Sequence, residues 1–210
     1  MLAAGLIFFN DCASLKRTLD SLTDFDFVIA IDGAFSAYNS NDRLSTDGSR
    51  ELCLQYPNVI LMDGADLLQY QKRDMYLRKA EELKVDHLLI IDSDEWLEGD
   101  LRAAIKDLTK EPALHCIDFT NRDLQHWPAS RLVVRPEIFS YHMAHCVMKR
   151  SDTGEIFRIR EKDNSVLPGV ALKSDDTLHT ADYMRENDIC QERMKVYEAP
   201  IKERYQAGPR

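Results

Sequence analysis

The sequence predicts an α/β fold built on a mostly parallel sheet with helices on both faces. Three observations predict it. Apolar runs of strand length recur through the first half of the chain, segments with helical spacing separate them, and two of the runs end on an aspartate, Asp32 and Asp92. In sheets of this kind ligands sit at the carboxyl ends of the strands, so both aspartates fall where a site is expected.

The elements follow in order. Residues 3–9 are an apolar run, read as a buried strand, and Asn10 or Asp11 can cap a helix carrying Leu15, Leu19 and Leu22 at helical spacing. Residues 27–31 form a second strand that ends at Asp32-Gly33, and a polar loop covers 34–44. Ser45-Thr46-Asp47-Gly48 offers caps for a short helix through Tyr56, where Asp47 on its own reads as a cap. Residues 58–62 are a third strand, and 66–83 a longer helix with Leu68, Met75, Ala80 and Leu83 on one side. Residues 86–91 are a fourth strand, ending at Asp92, and Gly99-Asp100 opens a helix to about Lys110. Beyond it, 114–120 reads as one more strand of the sheet. Residues 131–134, 140–148 and 155–160 read as shorter strands, with Asp152-Thr153-Gly154 as a hairpin turn. Pro168-Gly169 marks a loop, and a helix from about Arg185 to Arg204 closes the chain.

Composition bounds the function. The 210 residues suit a single domain spanning 1–210, its halves 1–110 and 111–210 differing in texture. Hydrophobic residues make up 44% and charged residues 30%, as in a globular, soluble chain. A net charge of -9, from 27 basic and 36 acidic residues, argues against general nucleic-acid binding, which needs a basic face. No apolar run approaches the ~20 residues of a transmembrane segment, and no signal peptide is read at the N-terminus. The five cysteines (Cys12, Cys53, Cys116, Cys146, Cys190) are scattered, without zinc-site spacing, so a reducing cytoplasm is the expected location.

The strongest local signal is the apolar strand leading into Asp92-Ser93-Asp94-Glu95-Trp96. It delivers two carboxylates, one residue apart, to a loop. Carboxylate oxygens suit a hard cation such as Mg²⁺ or Mn²⁺, which can bridge the phosphates of a sugar nucleotide. A solvated strand-to-helix turn with acidic caps is the plain alternative. Lys72 and Arg73 read by themselves as a solvated helix face, and Trp127 and Tyr141 as core aromatics or sugar-stacking rings. A transfer to a hydroxyl also needs a general base, for which Asp118, Asp123 and Glu137 are candidates that the sequence does not separate.

The pieces Val28-Ile29-Ala30-Ile31-Asp32-Gly33, Ser45-Thr46-Asp47-Gly48-Ser49, Lys72-Arg73-Asp74 and Leu88 to Glu95 resemble, in that order, the inverting glycosyltransferases of family 2. The likeness runs well from about Leu6 to Asp100 and loosely beyond. It implies the GT-A (Rossmann-like) fold, with a smaller mixed β region and a C-terminal helix. It implies a nucleotide-diphosphate sugar donor, a Mn²⁺ or Mg²⁺ cofactor, and transfer to an acceptor hydroxyl. By the same resemblance Asp32 meets the base or ribose, and Lys72 or Arg73 faces the diphosphate. Asp92 and Ser93 lie at the nucleotide sugar, Asp92 near ribose and metal. Asp94 ligates the metal, and Glu95 positions donor sugar or acceptor. His179, just before the last helix, resembles the late histidine that completes the metal shell. His142 and His145 lie where related enzymes carry a His-Glu pair, but Cys146 stands in place of the glutamate. The 34–44 loop, inserted before the Ser-Thr-Asp-Gly segment, departs from the family and leaves the donor base open.

Other readings have distinct signatures. A sugar-phosphate nucleotidyltransferase carries a Gly-rich basic loop after its first strand, and Phe8-Phe9-Asn10-Asp11-Cys12 lacks one. A haloacid-dehalogenase phosphatase carries its Asp-x-Asp on the first strand, not the fourth. A non-catalytic carbohydrate-binding protein would keep the fold without metal-dependent turnover.

Overall fold

The computed structural model describes residues 1–36, 41–120, 126–143, 147–158 and 166–174. The first half alternates as expected: β1 (Leu2–Phe8), α1 (Cys12–Asp20), β2 (Phe27–Asp32), α2 (Ser49–Cys53), β3 (Val59–Asp63), α3 (Gln69–Glu82) and β4 (His87–Ile90). There follow β5 (Glu95–Gly99), α4 (Leu101–Ala104), β6 (Ala113–Thr120), β7 (His126–Val134), a 3-10 turn (Pro136–Ile138), β8 (Phe139–Met143), β9 (Val147–Arg150), β10 (Ile156–Arg158) and β11 (Val166–Ser174).

Eight strands form one sheet in the order β3-β2-β1-β4-β7-β6-β11-β5, and β10-β9-β8 form a second, smaller sheet. The strands β1 to β4 are parallel. β7 runs antiparallel to both β4 and β6, so β6 points the same way as β4. β11 is parallel to β6, and β5 is antiparallel to β11. The fold is therefore the α/β sheet that the sequence predicts, with a mixed second half.

Every residue of β1 is buried, as a parallel strand covered on both faces requires. Leu2, Ala4, Leu6 and Phe8 join the core that includes Leu15 and Leu19 of α1, Leu52 of α2 and Leu101 of α4. Ala3 and Ile7 face the opposite core, with Tyr76, Leu77 and Ala80 of α3 and Phe139, Tyr141 and Met148 of the small sheet. Between Ala3 and Ile7, Gly5 leaves room for the Tyr76 ring; a Cβ there would lie 2.7 Å from two of its carbons.

Four local expectations change. The helix after Gly99 is a single turn, capped where the Asp100 carboxylate accepts the Ala103 N–H at 2.9 Å. The strand expected at 131–134 is the end of the longer β7. The strand expected at 140–148 is two strands, because β8 folds back on β9 with Tyr141 opposite Met148. Residues 95–99 and 166–174 are strands; Pro168-Gly169 lies inside β11, between Val166 and Ala171 where its register with β6 shifts. The expected helix at 185–204 lies outside the described residues. Among those described, no helix is long and apolar enough to cross a membrane.

Candidate active site

The strand order places β4 beside β1 while β2 and β3 continue on β1's other side. The connections thus change direction between β1 and β4, and the crevice at their carboxyl ends is the favoured ligand position in such sheets. Acidic residues gather at that edge: Asp11 after β1, Asp32 on β2, Asp63 on β3 and Asp92 after β4. The loops interlock across the crevice. Ser93 Oγ donates to an Asp11 carboxylate oxygen, and Thr18 Oγ1 donates to the Ser93 carbonyl at 2.7 Å.

Asp92 is the hub. Arg73, on α3, donates to its Oδ1 at 2.7 Å, and Arg131, on β7, approaches its Oδ2 at 3.4 Å. The second Arg131 nitrogen donates to Glu95 Oε1 at 2.5 Å, while Glu95 Oε2 accepts the Asp92 N–H at 2.8 Å. This closes a tight turn over 92–95 whose charges are shared between two guanidinium groups. Burial opposes ionisation of Asp92, but the Arg73 and Arg131 charges outweigh it and hold the carboxyl below its ordinary value. Glu95 goes the other way: burial pushes it up to about 8 despite Arg131, and the negative charge of Asp92 adds to the rise. Glu95 is thus a buried brace of the turn, not a side chain presented to donor or acceptor.

Asp94 points differently. It is only half-buried, and Ser174 Oγ, at the end of β11, donates to its Oδ2 at 3.4 Å. Ser174 lies opposite Glu95 in the ladder, so the mixed half of the sheet brings a hydroxyl to the Asp-x-Asp turn.

Asp32 is fully buried. Its oxygens accept the Ser45 N–H at 3.1 Å, the Ser45 hydroxyl at 2.5 Å and Arg50 Nη1 at 2.6 Å. Arg50 also bonds Asp63 at 2.7 Å. Asp32 therefore anchors the Ser45–Ser49 segment to the sheet and does not open toward a base or ribose. Asp47 caps more than its own helix: its Oδ2 accepts the Cys12 N–H at 2.8 Å, at the start of α1.

Lys72 and Arg73, expected to face a diphosphate, are both buried. Lys72 Nζ donates to the Gly33 carbonyl and sits 4.4 Å from the centre of the Phe35 ring. Burial pushes its ammonium down to about 8. Helix α3 packs its Lys72–Arg73 face on the sheet, so both cations serve the protein's own loops.

The general-base candidates separate by strand direction. Asp118, near the end of β6, comes to the same edge as Asp92, because β6 and β4 point the same way. Glu137 does not. β7 runs back, Val134 pairs with His87 at the start of β4, and Glu137 follows at the amino edge. There it bonds Arg135 at 2.8 Å and lines a cavity of about 480 Å³ with Lys84 and His87, so it drops out as the base. Tyr141 is buried against Tyr76 and is not a sugar-stacking ring on the surface. Asp123, His145 and His179 lie outside the described residues.

Arg131, Arg50, Asp11 and Ser174 carry much of the site and were not candidates from sequence. For Arg131 one signal existed: a cation directly before the apolar run Leu132-Val133-Val134 needs a buried partner. Among the described residues no cluster of three or more His, Cys, Asp or Glu side chains forms a metal cage. The carboxylate pair still fits Mg²⁺ or Mn²⁺, since such ions are commonly held by one or two carboxylates plus substrate phosphates.

No protein-family model matches the chain, and neither does any curated protein. Solved structures do. TarS of S. aureus superimposes with a TM-score of 0.55 at 14% identity, covering 88% of this chain and 38% of TarS. TarS 1-349 in complex with UDP gives 0.50 at 16% identity, over 65% of this chain and 47% of that one. The chain thus spans about half the length of that TarS fragment. The mannosyltransferase PcManGT from Pyrobaculum calidifontis, in complex with GDP-Man and Mn²⁺, gives 0.51 at 14% identity, over 100% and 76% of the two chains. The chain has the fold of these GT-A-type glycosyltransferases.

Proposed function

We propose that the protein is a metal-dependent glycosyltransferase that moves a sugar from a nucleotide-diphosphate sugar to an acceptor hydroxyl. One observation carries this: the Asp92-Ser93-Asp94 turn stands at the carboxyl end of β4, beside β1, in a sheet shared with sugar-nucleotide enzymes. In this reading the donor lies in the crevice between the β1 and β4 ends. Asp94, with Ser174 behind it, is the principal carboxylate for Mn²⁺ or Mg²⁺, and His179 is the third ligand. Asp92, held by Arg73 and Arg131, stands beside ion and ribose. Asp32, through Ser45 and Arg50, fixes the loop that borders the base.

A bound divalent ion would neutralise charge on the leaving diphosphate. The chain's own residues do the rest. The rigid 92–95 turn holds Asp94 in place before substrate arrives, which avoids reorganisation during transfer. The acceptor oxygen attacks the anomeric carbon as the bond to the diphosphate breaks. Its proton passes to a carboxylate, for which Asp118 is the candidate at the right edge among the described residues and Asp123 the other.

Calorimetry with UDP and GDP, with Mn²⁺ and with chelator, tests the reading. Binding that needs Mn²⁺ is expected. At a hundred times the dissociation constant it would add ~2.7 kcal/mol to stability, visible as a thermal shift. Tight binding that ignores chelator, or no binding of either nucleotide, would refute it.

A further inference from the structure

A chain of buried polar groups runs from the small sheet to the Asp-x-Asp turn. Tyr141 on β8 and Tyr76 on α3 join hydroxyl to hydroxyl at 2.7 Å, their rings edge to face with centroids 6.0 Å apart. Arg73 Nη1 donates to the Tyr76 hydroxyl at 3.3 Å, and Arg73 Nη2 donates to Asp92 Oδ1 at 2.7 Å. Tyr76, Tyr141 and Arg73 are all at most 5% exposed. The Tyr141 backbone is held too, since its N–H donates to Asp74 Oδ1 at 2.7 Å.

A guanidinium has no acceptor, so the Tyr76 oxygen accepts from Arg73, and in the bond between the two tyrosines either hydroxyl can be the donor. The two links of Tyr76 sit in a buried interior where neighbouring hydrogen bonds polarise one another and a missing partner is costly, and the last, to Asp92, is part-buried. Arg73 is long and would have several rotamers; the Tyr76 hydroxyl and the Tyr141 ring face, 6.0 Å from the guanidinium carbon, select one.

We propose that Tyr141 is a positioning residue for the donor and metal site, acting through Tyr76 and Arg73 on Asp92. The inference deepens the glycosyltransferase reading and rests on it for its functional meaning. It makes the small sheet a part of the site: the way β8 docks on α3 sets how firmly the 92–95 turn is held.

Hydrogen exchange of the 92–95 amides, measured without nucleotide, tests the positioning by itself. Nucleotide–Mn²⁺ affinity then tests its functional meaning. Tyr141→Phe keeps the ring and removes the link. The expected result is faster exchange across the turn and affinity weaker by roughly 2- to 10-fold, the range one buried hydrogen bond carries. Tyr76→Phe cuts the chain one link nearer Asp92 and should repeat the signature; it decides the matter if Tyr141→Phe does not fold. In an Arg73→Lys background the Tyr141→Phe effect should vanish, because a lysine cannot span Tyr76 and Asp92. In an Arg131→Lys background it should persist. Unchanged exchange across the turn, or an effect of equal size in the Arg73→Lys background, would overturn the proposal. If the wild-type protein binds no nucleotide–Mn²⁺, the glycosyltransferase reading fails, while the exchange data still decide whether Tyr141 positions Asp92.

Discussion

Asp94 and Asp92 share a turn but not an environment, and that difference predicts different mutants. Asp94 is half-buried, and asparagine keeps its shape and an oxygen to accept from Ser174, so Asp94→Asn should leave the melting temperature nearly unchanged. Turnover should fall by more than the roughly 10- to 100-fold that loss of an outer-shell partner costs a metal site. Steady-state rates across a Mn²⁺ titration, beside a thermal melt, check both halves; loss of the folded transition would mean a structural role instead. Lys72 gives a pH prediction. Burial lowers its ammonium to about 8, against an ordinary 10.5. Between those values the unfolded chain holds a proton that the folded chain has released, so this residue makes stability rise with pH across that window. Below about 8 both states are protonated and the full cost of burying the charge is present. Lys72→Met removes the term, so the melting temperature of wild type relative to the variant should climb from pH 7.5 to 9.5. A flat difference would show that Lys72 titrates normally.

At the scale of elements, the contact between β1 and α3 is close enough to be decided by one methyl group. A Cβ on Gly5 would lie 2.7 Å from the Tyr76 ring, below any normal contact. Gly5→Ala should therefore cost about 1–3 kcal/mol, as overpacking of a core does, and chemical denaturation measures it. The loss should be smaller when combined with Tyr76→Leu, since the two share one contact. The parallel half was legible in the sequence because its strands are buried on both faces and read as unbroken apolar runs between helix caps. β5 and β11 were not. Trp96-Leu97-Glu98 alternates too briefly to read, and Pro168-Gly169 signals a turn although the ladder tolerates it at a register shift. The aspartates of the site were legible as strand ends. Their partners were not, because Arg131 meets Asp92 from 39 residues away and only the β4–β7 pairing joins them. Glu137 misled for the same reason: its distance along the chain suggested the acceptor side, but the direction of β7 decides its edge.

Over the whole molecule, the two halves expected from the sequence share one sheet and one charge network. Arg131 belongs to the second half, yet it braces Asp92 and Glu95 of the first with a side chain only 12% exposed. Replacing it with methionine leaves the buried Glu95 without its guanidinium partner, while Asp92 keeps Arg73, and about 3–5 kcal/mol of stability should go, as when one partner of a buried pair is removed. Equilibrium unfolding in urea measures that loss, and a change under 1 kcal/mol would mean that Glu95 finds another partner. The position of β4 has a further consequence. It pairs with β1 on one side and β7 on the other, so it is the seam between the parallel and mixed parts of the sheet. No local fluctuation can expose its amides without parting that seam, so Leu88, Leu89 and Ile90 should be among the last to exchange with solvent. The acidic turn that follows inherits this from its anchor strand: it sits where the molecule opens least often, and its loops, not its foundation, are left to accommodate what binds.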